Sequence, residues 1–264
     1  MPAGIPATDM SFAIKQLNQM VKDKSWTSFQ LRRIENQAKT GMDIDPAEAH
    51  VVLGIIASLR GQTDKIHEHF RVALQFPKNM SLNYVNYSIA LRWVGLITEA
   101  FSMADKGAVC FPDDKMLLRE AIDTAFGSGH FLRANDLVNN QWTKLSPDAS
   151  FQDRQQIEKS AEWLQSRDMS EKCVSSLVEI AFSIARERLN FHKSFNGIQI
   201  DVLADGTDQF LAYDILINET PEIISNLNEE FIDASLDSVI TERGFVLSFE
   251  SGKVKQNSAN EFAA

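Results

Sequence analysis

The histidines are the side chains in this sequence whose spacing comes closest to that of a metal site. His67 and His69 stand two residues apart in a segment with a helical pattern, so their rings point to different faces. A zinc-binding helix places its histidines four residues apart, and the sequence contains no HExxH motif. We therefore expect two surface histidines and no metal site in this segment.

Other residue types that perform catalysis occur in patterns with a structural explanation. Asp201, Asp205 and Asp208 lack the alternating spacing of a calcium loop, and Asp205 with Gly206 is a hairpin-turn signal. No GxGxxG or GxxxxGK[ST] motif is present to bind phosphate. His130 follows a Gly-Ser-Gly triplet, which fits a turn between helices better than a nucleophile elbow. The sequence predicts a protein that is not an enzyme, with no cofactor and no metal.

The two cysteines add no further chemistry. Cys110 and Cys173 are too few for a disulfide framework and have no zinc-ligand spacing. Cys110 comes at the apolar end of a predicted helix, where we expect it to be a small core residue.

Length and composition indicate a globular protein without a membrane span. The 264 residues are 44% apolar and 23% charged, ordinary values for a chain that buries a core, and the net charge is -10. This charge argues against a surface dominated by contacts with nucleic acid. The longest apolar run, residues 51–59, is far below the ~20 residues of a membrane helix, and the first residues lack a signal-peptide pattern. We expect a cytoplasmic protein that binds neither nucleic acid nor membrane.

An internal repeat supplies the elements that would position any site. Gly61, Gly95 and Gly129 are each separated by 34 residues. Prolines follow them at intervals of 35 residues, at Pro77, Pro112 and Pro147. Two helices in each unit explain the pattern, because glycine frees the turn between them and proline stops the second helix.

This pattern resembles the tetratricopeptide repeat (TPR). The three units lie at about residues 47–79, 81–113 and 115–147. The first unit matches best and carries, in order, the marks Leu53-Gly54, Gly61, Phe70 and Ala73-Leu74. The third unit departs most, because Ile122 and Gln141 replace small residues. The resemblance implies a mainly α, TPR-like antiparallel helical-hairpin solenoid that binds other proteins.

The resemblance also implies a binding groove, which the first helix of each unit would line. Carried onto this chain, the groove positions are Val51, Ile55, Leu82, Val85, Ile89, Trp93, Arg119 and Asp123, with Leu59 and Phe126 beside them. Family members that grip a carboxylate use lysine, asparagine and arginine there, whereas the first unit of this chain has valine and isoleucine. The groove therefore favours an amphipathic helix or a hydrophobic peptide. The alternative is that the flanking helices of the chain fill the groove and make it a core.

Further helices are predicted on both sides of the repeats. Residues 9–22 and 26–40 look like a helix pair that caps the stack, with Ser25 as an N-cap. Residues 151–166 and 170–190 are again amphipathic and would seal the other end. Together these segments predict one helical repeat domain that ends at residue 190.

The last quarter of the chain is predicted to form a different structure. After Gly197 the apolar residues alternate with polar ones, and residues 210–217 give a return strand. Thr220 and Pro221 start a helix in the favoured way, and alternation resumes after Gly244. The result is a small α+β module of order β-β-α-β. Its predicted bounds are residues 191–250, followed by a disordered tail at 251–264.

Acidic residues are concentrated in this module. Residues 194–250 contain twelve acids and one base, a net charge of -11, so the rest of the chain carries about +1. Charge of one sign in one place favours electrostatic steering toward a basic partner. The predicted acidic partner face consists of Glu229, Glu230, Asp233 and Asp237. The alternative is an acidic module that serves solubility alone.

Two classes of function follow from these features. The favoured one is a protein–protein interaction adaptor, regulator or chaperone-like scaffold that uses the TPR-like groove, the acidic module or both. Its partner would be another protein that is basic or presents an apolar helix. The alternative is an enzyme or ligand sensor with an acidic site in the C-terminal module, which convergent carboxylates in a cavity would favour.

Overall fold

The computed structural model describes residues 10–145, 153–167, 169–205, 208–236 and 244–252. Its fold is mainly α with one three-stranded mixed sheet near the C-terminus, which confirms the predicted class at that level. The chain divides into two compact units between Val94 and Gly95. The predicted domain boundary at residue 190 stays a prediction.

The first unit contains five described helices and the second unit the remaining elements. The first five are α1 (Met10–Lys22), α2 (Ser28–Gly41), α3 (Pro46–Leu59), α4 (Thr63–Ala73) and α5 (Met80–Trp93). The next group is α6 (Ile97–Cys110), α7 (Lys115–Gly127), α8 (Phe131–Asp136), a π-helical segment (Leu137–Trp142), α9 (Thr143–Leu145), α10 (Arg154–Ser166) and α11 (Glu171–Arg188). The last group is α12 (Phe191–Ser194), β1 (Phe195–Asp205), β2 (Asp208–Ile217), α13 (Pro221–Leu236) and β3 (Phe245–Ser251).

The predicted repeat is present in the positions of the helices. Helices α3, α5 and α7 begin at residues 46, 80 and 115, and α4, α6 and α8 begin at residues 63, 97 and 131. Each of the three glycines between paired helices has a positive φ, at 67°, 78° and 81° in chain order. Only glycine adopts this conformation without strain, so the 34-residue spacing reports a recurring turn.

The core of the first unit is built around α3. Helices α1, α2, α4 and α5 all pack against it, and residues 51–59 are buried without interruption. Gly54 allows the closest approach, because a Cβ there would lie 2.5 Å from Cε2 of Phe70. The Phe70 ring stacks on Tyr87 with ring centroids 4.8 Å apart. The glycine and the aromatic residue that mark the first repeat therefore form one packing contact.

In the second unit, α11 covers the second and third turns of the repeat. Arg186 donates to the carbonyl of Gly95 at 2.6 Å, and a Cβ on Gly129 would lie 2.8 Å from Cγ1 of Val174. The Glu171 carboxylate accepts a hydrogen bond from the N–H of Arg133 in the first turn of α8. Helix α10 packs against α8, as expected for an element that seals the repeats.

The sheet has the order β1-β2-β3 and the predicted β-β-α-β connection. Strands β1 and β2 are antiparallel and β2 and β3 are parallel, so α13 is the crossover between them. One face of β2 is fully buried through Leu211, Tyr213, Ile215 and Ile217. These side chains belong to the same hydrophobic cluster as Trp163 and Phe182 of α10 and α11. The acidic module therefore shares a core with helices of the repeat region.

Tyr213 fixes the sheet to the third turn. Its hydroxyl donates to the carbonyl of Gly127 at the end of α7. The side chain is fully buried, and burial raises the pKa of Tyr213 well above its usual value, so the phenol stays a donor.

Local expectations from the sequence differ from the structure at two positions. Cys110 is exposed, because it is the last residue of α6 and the helix buries Gly107 and Ala108 instead. The N-cap of α2 is Thr27 rather than Ser25, and it forms a capping box with Gln30. Of the predicted tail, residues 253–264 lie outside the described part of the chain.

Candidate functional site

The structure buries most of the apolar positions assigned to the groove. Val51, Ile55, Val85 and Ile89 each have at most 2% of their surface exposed, and Leu59 is buried in the same way. Helices α1 and α5 pack against α3 within the first unit, so the chain itself covers these side chains. This arrangement favours the alternative in which the groove positions form a core.

The remaining groove positions are more accessible. Leu82 and Trp93 are half-buried on α5. On α7, Nε of Arg119 lies 3.6 Å from a carboxylate oxygen of Asp123 one turn away. Phe126 is half-buried and meets Phe131 edge-on, with ring centroids 5.6 Å apart. The groove as a peptide-binding surface stays a prediction.

The acidic face of α13 is formed by local sequence and by packing. The Thr220 hydroxyl accepts from the N–H of Ile223, and Pro221 opens the helix. Ile224, Leu227 and Phe231 are buried on one side of the helix, which turns the opposite side toward solvent.

Three unpaired carboxylates follow the outer side of α13. Glu222, Glu229 and Asp233 are exposed, and their spacing of seven and four residues aligns them along one face. None of them forms an ion pair with a residue that the structure describes. Ile232 and Leu236 lie beside this row and expose 55% and 72% of their surfaces. We name these five residues the α13 face.

The other two predicted members of the acidic face have different positions. Both oxygens of Glu230 accept hydrogen bonds from the guanidinium of Arg188, at 2.8 Å each. The Arg188 hydrogen bond lowers the pKa of Glu230, so this carboxylate is charged and already partnered within the chain. Asp237 lies outside the described residues.

Asn228 occupies the edge of the sheet next to the α13 face. Its side-chain oxygen accepts from the N–H of Phe249 at 2.8 Å, and its amide nitrogen donates to the carbonyl of the same residue at 3.0 Å. These bonds use the outward backbone groups at the centre of the edge strand β3. A partner strand therefore cannot pair with β3 at Phe249.

The structure pairs histidines that sequence spacing did not connect. Nδ1 of His50 in α3 lies 3.1 Å from Nδ1 of His69 in α4, and Nδ1 of His67 lies 2.7 Å from the Tyr87 hydroxyl. His67 and His69 are half-buried and hydrogen-bonded, so they are less exposed than free surface histidines would be. Burial lowers the pKa of both His50 and His69. The 19-residue separation of the pair gives no sequence signal until α3 and α4 are known to pack together.

The next question is whether these residues, in the part of the chain that the structure describes, could hold a metal ion. Within the described ranges, no three His, Cys, Asp or Glu side chains converge in a way that would hold a metal ion. A cavity of about 100 Å³ at β1 is lined by Gln155, Gln156, Lys159, Asp201 and Val202, with one carboxylate among them. Among the described helices, none combines the length and the apolar composition needed to cross a bilayer.

Comparison of the chain with protein-family models, curated proteins and solved structures found no match. The α13 face is therefore judged on its own geometry: an exposed row of carboxylates beside two exposed aliphatic side chains.

Proposed function

We propose that this protein is an interaction scaffold that binds a basic, apolar segment of another protein through the α13 face. The observation that supports the proposal most is the pairing of unpartnered carboxylates with exposed aliphatic side chains on one helix. Carboxylates steer and orient a basic segment, while burial of Ile232 and Leu236 supplies contact energy. A surface that served solubility alone would not need Leu236 exposed at 72%.

Membership of the TPR family is part of the same proposal. The recurring helix starts, the positive φ of each turn glycine and the contact of Gly54 with Phe70 support it. In this view the repeat is a frame that holds α13, and its groove is largely filled. The cytoplasmic location stays a prediction.

The alternative, an enzyme or sensor with an acidic site in the module, has less support. Its expected mark is a cavity with convergent carboxylates. The cavity at β1 has one, Asp201, which accepts hydrogen bonds from Gln156 and Gln199 at 2.8 Å each.

The test compares two charge reversals of equal size. Affinity capture with the full chain first isolates a partner, and binding kinetics are then measured for Glu229→Lys/Asp233→Lys and for Asp208→Lys/Glu250→Lys. Both pairs change the net charge by the same amount, and all four residues are exposed. We expect the α13 pair to lower the association rate at least tenfold at low salt and the control pair to change it less than threefold.

The apolar half of the face is tested by Ile232→Ser/Leu236→Ser. We expect a faster dissociation rate with an unchanged salt dependence, because the variant removes buried contact area and no charge. Equal effects of the two charge reversals, or wild-type kinetics for the α13 pair, would contradict the proposed surface.

A further inference from the structure

A second candidate site lies in the first unit, far along the chain from the acidic module. An open cavity of about 480 Å³ lies between α2 and the turn that joins α3 to α4. Its lining residues are Ser28, Arg32, Glu35, Asn36 and Lys39 from α2, with Arg60 and Gln62 from the turn. We name this cavity the basic pocket. Its volume is in the range of small-molecule sites, roughly 300–1,000 Å³.

The local structure explains why these side chains converge. Each of the five α2 residues lies three or four positions from another of the set, so they lie along one face of the helix. Arg60 and Gln62 flank Gly61, whose positive φ reverses the chain between α3 and α4. The N–H of Gln62 donates to the carbonyl of Ala57 at 2.9 Å, and this hydrogen bond stabilises the turn.

Three cations line the basic pocket, and one carboxylate, Glu35, forms ion pairs with two of them. Glu35 accepts from Lys39 at 2.6 Å and lies 2.8 Å from a guanidinium nitrogen of Arg60. The hydrogen bond from Lys39, with that from Arg60, lowers the pKa of Glu35 despite its partial burial. Glu35 is therefore charged, and Arg32, Lys39 and Arg60 together with it leave the pocket with a charge of +2.

The other donors of the basic pocket are not used within the described chain. The side chains of Ser28, Arg32, Asn36 and Gln62 form no hydrogen bond or ion pair with any residue that the structure describes. Arg32 presents a planar set of N–H donors that matches the oxygens of a phosphate or carboxylate. The pocket thus combines excess positive charge with free hydroxyl and amide groups.

We propose that the basic pocket binds a small molecule that carries a phosphate monoester. A phosphate monoester has a charge near -2 at neutral pH, which equals and opposes the charge of the pocket. In this complex Arg32 pairs with two of the phosphate oxygens. Glu35 holds Lys39 and Arg60 in position, and these two cations neutralise the third phosphate oxygen. The remaining volume, with Asn36 and Gln62 at its border, accommodates the body of the ligand.

The other turns of the repeat lack this chemistry. At the equivalent positions 34 residues on, Val94 and Leu96 flank Gly95, and after a further 34 residues Ser128 and His130 flank Gly129. Arg60 and Gln62 are therefore specific to the first turn and are not needed to make the turn.

The test uses calorimetric titration of the full chain with inorganic phosphate, glucose 6-phosphate and glucose. We expect saturable binding of both phosphate probes, no binding of glucose, and weaker binding below about pH 6, where the monoester loses its second charge. Arg32→Gln should weaken binding at least tenfold. Arg33→Gln is the matched control, because Arg33 is the adjacent exposed cation and does not line the pocket; it should change the affinity less than twofold.

The unfolding midpoint of each variant is measured in parallel, and since Arg32 has no described partner we expect it to be unchanged. Arg32-dependent binding of either phosphate probe supports the proposal. Absence of saturable phosphate binding to the wild-type chain overturns it. Equal losses in Arg32→Gln and Arg33→Gln also overturn it, because they indicate diffuse electrostatic attraction in place of a pocket.

Discussion

The first and third turns of the repeat have the same backbone and opposite surroundings. In both, the residue after the turn glycine donates to the carbonyl five residues earlier, at 2.9 Å from Gln62 and 2.8 Å from His130. Gly61 is exposed and a Cβ there would meet nothing within 4 Å, whereas Gly129 is buried against Val174 of α11. One turn is thus open and polar, and the other is a packing contact.

This difference teaches that the repeat sets the shape of the turn but not its use. The use is decided by the element that the chain places against the turn. Helix α11 covers the third turn with apolar side chains, and the polar face of α2 leaves a pocket at the first. The same local conformation therefore serves as core in one unit and as a candidate ligand site in the other.

The largest expected effect comes from adding one methyl group to each turn. Gly129→Ala should destabilise the protein by about 2–4 kcal/mol, since it combines a strained φ with a Cβ that would lie 2.8 Å from Val174. Gly61→Ala should cost about 1 kcal/mol, because only the backbone strain applies. Urea unfolding of both variants measures the difference. Equal losses would contradict the contrast between a covered and an open turn.

A smaller loss is expected where the sheet contacts the end of α7. Tyr213→Phe removes the hydroxyl that donates to Gly127 and leaves that carbonyl without this donor. We expect a destabilisation of about 1–2 kcal/mol, with faster amide hydrogen exchange in α7 and β2. Tyr84→Phe, which removes a hydroxyl from α5 of the first unit, is the comparison variant, and it should leave amide exchange in α7 and β2 unchanged. If exchange in α7 does not change, the sheet does not hold the third turn.

The smallest expected effect is a pH dependence of stability that arises where α3 contacts α4, at His50 and His69. Burial lowers the pKa values of His50 and His69 below the ordinary 6.5, and the charges of His50 and Lys65 lower that of His69 further. The nearby Glu68 opposes this for both rings, as Glu35 does for His69. As the pH falls through 6.5, the unfolded chain therefore binds more protons than the folded protein. The stabilisation from the two neutral rings is complete above pH 6.5 and is lost as the pH falls below it. Doubly protonated rings would also place two donors 3.1 Å apart.

Thermal unfolding between pH 7.5 and 5.5 measures this dependence. His69→Gln should reduce the slope, while Arg71→Gln, at an exposed cation on the same helix, tests whether a change of charge alone has this effect. His130 and His192 also have pKa values lowered by burial, so part of the slope should persist in His69→Gln. An unchanged slope in His69→Gln would show that the histidine contact does not contribute.

Local patterns in the sequence predicted most of the elements and the turns of the repeat. The spacing of Gly61, Gly95 and Gly129 predicted three positive-φ turns, and all three are present. Alternation along residues 210–217 predicted the return strand that the structure forms as β2, and Thr220 with Pro221 predicted where α13 begins. These predictions hold because capping, turn conformation and side-chain periodicity depend on residues close in the chain.

What the side chains do was decided by tertiary structure. Helix packing buried Val51 and Ile55, paired His50 with His69 across 19 residues, and gave Glu230 a partner in Arg188. The basic pocket joins residues of α2 to Arg60 and Gln62, and within it Glu35 forms ion pairs with both Lys39 and Arg60. Burial and electrostatic pairing arise between residues distant in the chain. The sequence by itself therefore determined the elements of this protein, and only their packing decided which surfaces stayed open.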